Sequence, residues 1–402
     1  MPPPLAVHCE LAPVLVNRTA VYRLCRLLPG ELARRGFRAT SSALLSRLNE
    51  HAEPASALER RLYGLSRRWL YAALGRPGLF RRLLPAAAWL PGLRRPGGLR
   101  LYLDPLYLLF HRGHDNGVVL VYDVTPATDP GWHGRGAAEL YLRAFDLLAR
   151  SRCHVVAVSR NTADHLRVNW GVAPSRLTVL PLGLLPQSRS RSARGAYPAA
   201  APFLLFVGSV EPRKNVAGLI RAYAASGLFA SHGVRLRVVG EVPAAGHPVM
   251  ELARATPGVG LAGFVSDTEL SAAYRGCLAF VYPSFCEGFG LPLLEAMHHG
   301  CVCLATCTGA SPEVAGDAAL YVDPYSVEDI ARGLRRVLAL SDTARRAMAA
   351  RGRQRAKQFT WDGFCDGLAG VLRRHAAECG LAPAEGSEHA RLVVSPAAAA
   401  RA

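Results

Sequence analysis

The sequence predicts an α/β protein of two domains, each built on a doubly wound parallel β-sheet. Short runs of Val, Leu and other apolar residues alternate with helix-like segments: VVLVYDV, HVVAVS, LTVLPLG, FLLFVGS, RLRVVGE, LAFVYPS and VCLATC. Strands that are apolar on both faces are typical of parallel sheets covered by helices. A chain of 402 residues is also long for one hydrophobic core, which favours two domains.

A change of composition marks the predicted boundary between the domains. Residues 184–202, LLPQSRSRSARGAYPAAAP, are rich in Ser, Arg, Pro and Ala and predict an exposed linker. It separates a first domain over 1–183 from a second domain over 203–358. Residues 359–380 predict a last helix, and the Ala- and Pro-rich residues 381–402 predict a disordered tail.

The chain is strongly basic, and most of the excess lies in its first half. The formal net charge is +18, and residues 1–200 contain 28 arginines, no lysine and 12 acids. Such a balance favours an anionic partner, which could be nucleic acid, a membrane surface or a phosphorylated substrate. The sequence has no recognisable DNA- or RNA-binding motif, so we do not expect a nucleic-acid partner.

The segment 60–100 combines ten arginines with aromatic residues and has no acid. Guanidinium groups suit lipid phosphates and aromatic rings suit the headgroup boundary, so the segment predicts peripheral contact with an anionic membrane. The alternative is a solvated arginine face over rings that pack inward. The rings are those of Trp69, Tyr71, Phe80 and Trp89.

The remaining composition favours a cytoplasmic protein. No window offers the ~18 apolar residues of a membrane span, and the opening residues lack the pattern of a secretory signal. The ten cysteines are too sparse for a disulfide scaffold. GCVCLATC, with Cys301, Cys303 and Cys307, lacks the paired spacing of zinc sites, so we expect buried free thiols and no metal.

The segment FLLFVGSVEPRKNVAGLIRAYA predicts a strand, a turn and a helix. Gly208 allows a close turn at the end of the strand. Arg213 and Lys214 follow near the start of the helix, where free amides and the helix dipole favour an anion. Two cations there suit a diphosphate without a metal ion. Basic residues that contact only solvent are the alternative.

The segment CEGFGLPLLEAM predicts a glycine-rich turn that leads into a helix. Gly288 and Gly290 permit close backbone approach, and the amides of this turn can point at a ligand. Glu287 can accept hydrogen bonds from sugar hydroxyls, and Glu295, inside the helix, can accept both hydroxyls of a ribose. A loop acid and a solvated helix acid are the alternative. The amides belong to Gly288, Phe289, Gly290 and Leu291.

Five blocks of the second half resemble the family 4 retaining glycosyltransferases. In chain order they are GSVEPRKN, GFVSDTEL, YPSFCEGFGLPLLEAM, GASPEVAGDAALYVDP and FTWDGF. The resemblance implies a GT-B fold, in which two Rossmann-like domains face each other across a cleft and the last helix crosses back onto the first domain. It extends to bacterial mannosyltransferases of surface polysaccharide synthesis.

The same resemblance implies roles for the residues of these blocks. Arg213 and Lys214 would hold the diphosphate of the sugar donor. Glu287 would hold the donor sugar, and Glu295 the ribose. The backbone near Phe264 and Val265 would meet the base of the nucleotide.

The first half resembles the family more loosely. VVLVYDVTPATDP matches a segment whose strand often ends in His-Asp, and here the pair is Tyr122 and Asp123. Both are candidates for orienting the acceptor or the reacting centre, and a loop cap is the alternative role of Asp123. NRTAVYR, residues 17–23, stands where a glycine-bearing donor loop is expected and contains no glycine.

The expected function is transfer of a hexose, with a GDP-mannose-like donor favoured, to a glycan or lipid-linked acceptor. Both glutamates are assigned to binding, so we expect the anomeric configuration of the sugar to be retained without a carboxylate nucleophile. The diphosphate would leave from the same face of the sugar that the acceptor attacks. Arg213 and Lys214 would assist its departure, without a metal or cofactor. The alternative is a catalytically weak GT-B subunit that binds nucleotide sugars as a scaffold, which Tyr122 and the loop 17–23 would favour. The expected location is the cytoplasm, with peripheral attachment to the inner face of the membrane through 60–100.

Overall fold

The chain folds into two α/β domains in the computed structural model. The structure describes residues 4–11, 13, 20–43, 46–48, 54, 56, 58, 60–62, 64–65, 98–110, 116–133, 135–186 and 201–381. Most of the predicted linker 184–202, nearly all of the predicted tail 381–402, most of the arginine-rich segment 60–100 and residues 17–19 lie outside these ranges. The predictions made for them stay predictions.

The first domain is built on a seven-stranded sheet of order β3-β2-β1-β4-β5-β6-β7. Six of its strands run parallel, and β3 pairs antiparallel with β2 at one edge, where the sequence had indicated parallel strands throughout. The strands are β1 Ala6–Glu10, β2 Arg38–Ala43, β3 Ser46–Leu48, β4 Leu99–Tyr102, β5 Gly117–Val121, β6 His154–Ala157 and β7 Leu177–Val179. The helices are α1 Ala20–Arg34, α2 Thr125–Thr128, α3 Arg135–Arg150 and α4 Arg160–Trp170.

The second domain is built on a six-stranded parallel sheet of order β10-β9-β8-β11-β12-β13. The strands are β8 Phe203–Val207, β9 Arg235–Val239, β10 Val259–Gly263, β11 Ala279–Tyr282, β12 Cys303–Thr306 and β13 Ala319–Val322. The helices are α5 Val216–Ser226, α6 Leu228–His232, α7 Pro248–Ala255, α8 Asp267–Gly276, α9 Leu291–His299, α10 Ser311–Ala315, α11 Val327–Leu338 and α12 Asp342–Ala356.

Burial on both faces explains why the strands are apolar without alternation. Every residue of β5, β8, β11 and β12 is buried, because helices cover both sides of each sheet. Cys301 and Cys303 are buried free thiols and Cys307 is an exposed one. In the part of the chain that the structure describes, no helix combines the length and the apolar character needed to cross a membrane.

The last helix, α13 Trp361–Glu378, lies against the first domain rather than the second. Gly183 makes the crossing possible, because a Cβ there would lie 2.2 Å from the carbonyl oxygen of Thr360. Where α13 begins, the indole Nε1 of Trp361 donates to Glu31 Oε1 of α1 over 2.7 Å. Arg35 donates to the other carboxylate oxygen of Glu31, also over 2.7 Å.

The Glu31 carboxylate therefore joins the first domain to the helix that follows the second. Burial by itself would raise the pKa of this carboxyl. Hydrogen bonds from Trp361, Arg34 and Arg35 outweigh that effect, so its pKa lies below the ordinary value. The same guanidinium of Arg35 also pairs with Asp366 over 2.7 Å.

We predict that Glu31→Gln lowers the free energy of unfolding by about 2 kcal/mol at pH 7, the typical contribution of hydrogen bonds to a buried charge. A carboxyl whose pKa is lowered by folding stabilises the chain above its ordinary pKa of 4.5, and this contribution disappears as the pH falls through the lower folded value. Urea denaturation from pH 7 down to pH 3 should show the two proteins converging. Asp362→Asn is the control, since that carboxylate also meets Arg35 but is 83% exposed. A difference that stays constant with pH would contradict this account of Glu31.

Candidate active site

The candidate site lies where the strand order of the second sheet reverses. Strands β8 and β11 are neighbours, although β9 and β10 separate them in the sequence. Chain segments that leave the carboxyl ends of two such strands diverge and open a crevice, which is where open α/β sheets bind their ligands. Gly208 follows β8 directly, and residues 283–290 connect β11 to α9.

The end of β5 in the first domain touches this crevice at Gly288. A Cβ on Gly288 would lie 1.8 Å from the carbonyl oxygen of Tyr122 and 3.1 Å from the Cα of Asp123. Only glycine fits here, and the group it approaches is the backbone of the first domain. The prediction of a close backbone approach at Gly288 did not include this contact between domains.

A second contact joins the domains beside Gly288. Glu313 of α10 accepts hydrogen bonds from two backbone amides at the start of α4, those of Arg160 over 2.8 Å and Asn161 over 2.6 Å. A carboxylate at a helix N-terminus satisfies free amides and interacts well with the helix dipole. The second domain therefore caps a helix of the first, which fixes the crevice between them.

Three charged side chains meet at the centre of the crevice. Arg213 Nη1 donates to Glu287 Oε2 over 2.8 Å, and Lys214 Nζ donates to Glu287 Oε1 over 2.7 Å. Lys214 also donates to the hydroxyl of Tyr282 over 2.6 Å, and Arg213 to the carbonyl of Cys286 over 2.8 Å. Glu287 and Lys214 are buried. The structure thus brings together the predicted cations and the first predicted glutamate.

Backbone geometry after β8 places these cations. Residues Pro212–Lys214 form a 3₁₀ turn, and Asn215 then adopts a left-handed conformation with φ of 54°. The Asn215 amide group donates to the carbonyls of Pro283 and Pro324 over 3.1 and 2.7 Å. Because asparagine tolerates this conformation and its amide is locked by two loops, the turn that carries Arg213 and Lys214 is fixed to the segment after β11.

Electrostatics keeps Glu287 ionised. Burial would raise the pKa of its carboxyl, but Arg213 and Lys214 lower the pKa to about 2. The pKa of Lys214 lies below its ordinary value because of burial and the neighbouring Arg213, with Glu287 opposing both. Burial would also lower the pKa of Arg213, but Glu287, Asp123 and Glu211 raise it overall. Glu287 is therefore an anchor for cations and is unsuited to donating a proton near neutral pH.

The first domain contributes Asp123 to this cluster. Asp123 Oδ1 accepts from the Thr125 amide over 2.8 Å, and Oδ2 accepts from the Thr125 hydroxyl over 2.9 Å. Asp123 Oδ2 also lies 3.7 Å from Arg213 Nη1. The carboxylate is thus a loop cap and a neighbour of the catalytic candidates at the same time.

The Tyr122 hydroxyl does not join the cluster. It is buried and, among the described residues, it has no hydrogen-bond partner. Burial raises its pKa well above the ordinary value, and Cys25 and Asp104 of the first domain add to that rise. The backbone of Tyr122 therefore meets the second domain, while its hydroxyl lies inside the first.

His133 is a site residue that the sequence interpretation missed. Its Nε2 lies 3.2 Å from the Thr125 hydroxyl, which gives its single proton to Asp123. Nε2 is then the donor, which leaves Nδ1 unprotonated. Burial and then Arg213 lower the pKa of this imidazole, against the nearby carboxylates, so it is neutral near pH 7. A lone histidine twelve residues beyond the end of β5 carries no spacing signal that would have identified it.

Glu295 lies apart from these charges, on α9. Its Oε2 accepts from the Tyr274 hydroxyl over 3.1 Å. Burial raises the pKa of the carboxyl, and Tyr274 and then Arg23 of α1 lower it in part. The charge of Arg23 therefore acts on Glu295 from the first domain. The sequence interpretation expected a loop over 17–23, but residues 20–23 belong to α1, so Arg23 is a helix residue.

The other predicted donor contacts occupy the same end of the sheet. Gly290 precedes α9 with φ of 93°, and no side chain caps the helix among the residues the structure describes. Pro292 has no amide hydrogen, and the amides of Leu293 and Leu294 donate to the Gly290 carbonyl. Leu291 therefore supplies the helix amide that can serve an anion. Phe264 follows the carboxyl end of β10 and is 66% exposed, with Val265 half-buried beside it. Phe289 is buried with its ring edge-on to Phe359, so it supplies packing as well as an amide.

Aromatic rings line the mouth of the crevice across both domains. Trp132 stacks on Phe285 with ring centroids 5.6 Å apart, and Phe285 stacks on Tyr325 at 4.8 Å. Tyr325 is 67% exposed. These rings come from three separate segments of the chain, so no local sequence pattern indicates that they form a row.

Comparison with known proteins identifies the class of the second domain. Residues 191–355 match the family model of glycosyl transferases group 1. The chain carries a glycosyl transferases group 1 domain. The prediction of a glycosyltransferase is confirmed.

Among curated proteins, this glycosyltransferase is similar to bacterial mannosyltransferases. It is 29% identical over 272 residues to O-antigen chain mannosyltransferase B of Escherichia coli, covering 65% of this chain and 71% of that protein. It is 34% identical over 181 residues to serotype-specific mannosyltransferase WbdA of Escherichia coli, covering 43% of this chain but 22% of that protein. It is 31% identical over 244 residues to MMP alpha-(1->4)-mannosyltransferase of Mycolicibacterium hassiacum, covering 57% and 56% of the two chains.

Solved structures show the same fold. Sucrose-phosphate synthase from Thermosynechococcus elongatus superposes with a TM-score of 0.67 at 18% identity, covering 93% of this chain and all of that one. WaaG, a glycosyltransferase involved in lipopolysaccharide biosynthesis, superposes with a TM-score of 0.61 at 17% identity, covering 92% and 99%. The predicted GT-B fold is confirmed.

We predict that Gly288→Ala separates the domains, because the new methyl group would overlap the carbonyl of Tyr122. Small-angle X-ray scattering should show a larger radius of gyration, and the melting temperature should fall by several degrees. Gly260→Ala is the matched control, since a Cβ at Gly260 meets nothing within 4 Å. Unchanged scattering and melting for both variants would refute the contact.

Proposed function

We propose that this glycosyltransferase moves a hexose, with mannose favoured, from a nucleoside-diphosphate sugar to a hydroxyl of a glycan or lipid-linked acceptor. The observation that carries the proposal is the convergence of Arg213 and Lys214 on Glu287 at the point where the strand order reverses. The mannosyltransferase names of its relatives support mannose, and the O-antigen chain in one of those names supports a surface glycan. A GDP-mannose-like donor agrees with both.

The diphosphate would lie between the two cations and the Leu291 amide at the start of α9. Arg213 is already paired with Glu287 and, over 2.9 Å, with Glu211. These two pairs differ, because the Glu287 side chain is 6% exposed and that of Glu211 is 36% exposed. A surface ion pair contributes little to stability, whereas a buried one is costly to break. The incoming diphosphate would therefore displace Glu211 and leave Glu287 in place.

The rest of the donor would extend along the carboxyl ends of the second sheet. Glu295 on α9 would accept the ribose hydroxyls, a role that suits a half-buried carboxyl. The exposed ring of Phe264 and the adjacent Val265 would meet the base. The sugar would then lie toward Asp123, between the two domains.

We favour a mechanism that retains the anomeric configuration, in which the diphosphate leaves from the same face of the sugar that the acceptor attacks. A retaining mechanism with a carboxylate nucleophile needs a free carboxylate at the sugar carbon. Both oxygens of Glu287 accept from cations, and both oxygens of Asp123 accept from Thr125. Arg213 and Lys214 would stabilise the charge that develops on the leaving diphosphate, a role that a metal ion fills in other transferases, so we propose no metal in this step.

The acceptor would enter from the first domain, past the aromatic row. Sugar rings present apolar C–H faces, and the stacked rings of Trp132, Phe285 and Tyr325 give an aromatic surface beside the charged cluster. His133 would hold Thr125, and through it the Asp123 carboxylate, toward the acceptor hydroxyl. We assign His133 and Thr125 as positioning residues.

A catalytically weak scaffold subunit is the second candidate. The Tyr122 hydroxyl favours this candidate, because it is buried away from the charged cluster and its pKa is well above the ordinary value. Tyr122 therefore offers the site no side chain that gains or loses a proton near neutral pH. Such a protein would bind a nucleotide sugar without consuming it. Release of free sugar or nucleoside diphosphate during incubation with the donor separates an enzyme from a scaffold.

The test is a thermal-shift panel of GDP, UDP, ADP and their sugars on wild type, Glu295→Ala and the control Glu251→Ala, an exposed acid on α7. EDTA is present in every sample. A ligand at a hundredfold excess over its Kd adds about 2.7 kcal/mol of stability. One nucleotide should stabilise wild type and Glu251→Ala but not Glu295→Ala. No stabilisation by any nucleotide would contradict the proposal, and binding without donor turnover would select the scaffold.

A further inference from the structure

Two histidines and a glutamate meet where α13 packs on the first domain. His154 is the first residue of β6, and His375 and Glu378 lie on the last turn of α13. His154 stands at the amino end of its strand, whereas the crevice lies at the carboxyl ends. The cluster therefore lies at the opposite end of the strands of the first sheet from the crevice.

The spacing of the cluster suits a small metal ion. One ligand atom from each of the three residues can be chosen so that all lie within 4.8 Å of one another. His375 Nδ1 lies 3.5 Å from Glu378 Oε2, and the two imidazole centroids are 5.9 Å apart. Zinc–nitrogen and zinc–oxygen bonds of about 2.0–2.2 Å in tetrahedral geometry place neighbouring ligand atoms about 3.3 Å apart. The pair on α13, at 3.5 Å, is close to this separation.

Outer contacts hold both rings in place. His154 Nε2 lies 2.8 Å from the Thr178 hydroxyl of β7, which leaves its Nδ1 for an ion. His375 Nε2 lies 3.6 Å from the Cys379 sulfur, on the side of the ring away from Glu378. A hydrogen bond from the second ring nitrogen is the usual support of a metal-binding histidine, because it fixes the tautomer and the ring orientation.

The charges around the cluster act in both directions: those near Glu378 favour a bound cation, and those near His154 oppose it. The carbonyl end of α13 carries the negative end of the helix dipole, and Glu378 adds a carboxylate. Arg176 and Arg374 lie near enough to His154 to act against a positive charge. A bound ion therefore requires direct ligation by the three side chains, and general electrostatic attraction would not hold it.

We propose that His154, His375 and Glu378 bind one divalent transition-metal ion, Zn²⁺ by the chemistry of the ligand set, with a water molecule as fourth ligand. Two imidazoles and a carboxylate are typical ligands of zinc. The ion fastens the last turn of α13 to β6, and so fixes the crossing helix at the end opposite the Glu31 contact. This site is independent of the proposed function and takes no part in sugar transfer.

The test measures zinc binding to the untagged full-length protein after EDTA treatment and desalting. Elemental analysis and competition with a chromogenic chelator give the stoichiometry and Kd, and melting curves are recorded with and without Zn²⁺. The variants are Glu378→Gln, whose side chain is 67% exposed, and His154→Gln, with Glu328→Gln as an exposed control on α11. Circular dichroism verifies that each variant is folded.

Wild type and Glu328→Gln should bind one Zn²⁺ per chain and melt at a higher temperature with zinc. Both ligand variants should bind at least tenfold more weakly and lose the shift in melting temperature. Zinc that binds the ligand variants as tightly as wild type would belong to other groups, such as the thiols of Cys277 and Cys301, and would overturn the proposal. Failure of wild type to retain zinc at micromolar concentration would overturn it as well.

Discussion

The buried carboxylate of Glu287 is the constraint on which the site depends. It holds a guanidinium on one oxygen and an ammonium on the other, and these cations come from the turn after β8 while Glu287 comes from the segment after β11. Removing one partner of such a group leaves an unpaired buried charge, at a cost of about 3–5 kcal/mol. The same contact that stabilises the turn also keeps Arg213 and Lys214 aimed at the crevice, so structure and chemistry share one interaction.

The second constraint is the fit between the domains. Gly288 packs against the backbone of Tyr122, and Glu313 caps α4. The crossing helix α13 is bound to the first domain by the hydrogen bond from Trp361 to Glu31. In an isolated domain, the polar groups that make these contacts would lose their partners. As a result, Asp123 lies beside Arg213 although the two residues belong to different domains. The cleft chemistry thus depends on the domain packing as well as on the residues of either half.

The sequence predicted the parts of this molecule that local spacing determines. Continuous apolar runs specify buried parallel strands, and the turn glycines and the eight-residue spacing of Glu287 and Glu295 specify groups at one end of a sheet. It did not predict what depends on tertiary packing. The antiparallel edge strand β3, the inward direction of the Tyr122 hydroxyl, and the placing of His133 beside Thr125 follow from contacts with distant residues. The resemblance implied that the last helix crosses back, but no spacing in the chain indicates that the crossing brings His154 and His375 together.

We propose that Arg213 receives the diphosphate in place of Glu211 while Glu287 remains its anchor. Isothermal titration calorimetry of the preferred nucleoside diphosphate with wild type, Glu211→Gln and Arg213→Gln tests this directly. We expect binding several-fold tighter for Glu211→Gln, because the competing carboxylate is gone, and at least tenfold weaker for Arg213→Gln. Equal affinity in all three proteins, or weaker binding by Glu211→Gln, would contradict it.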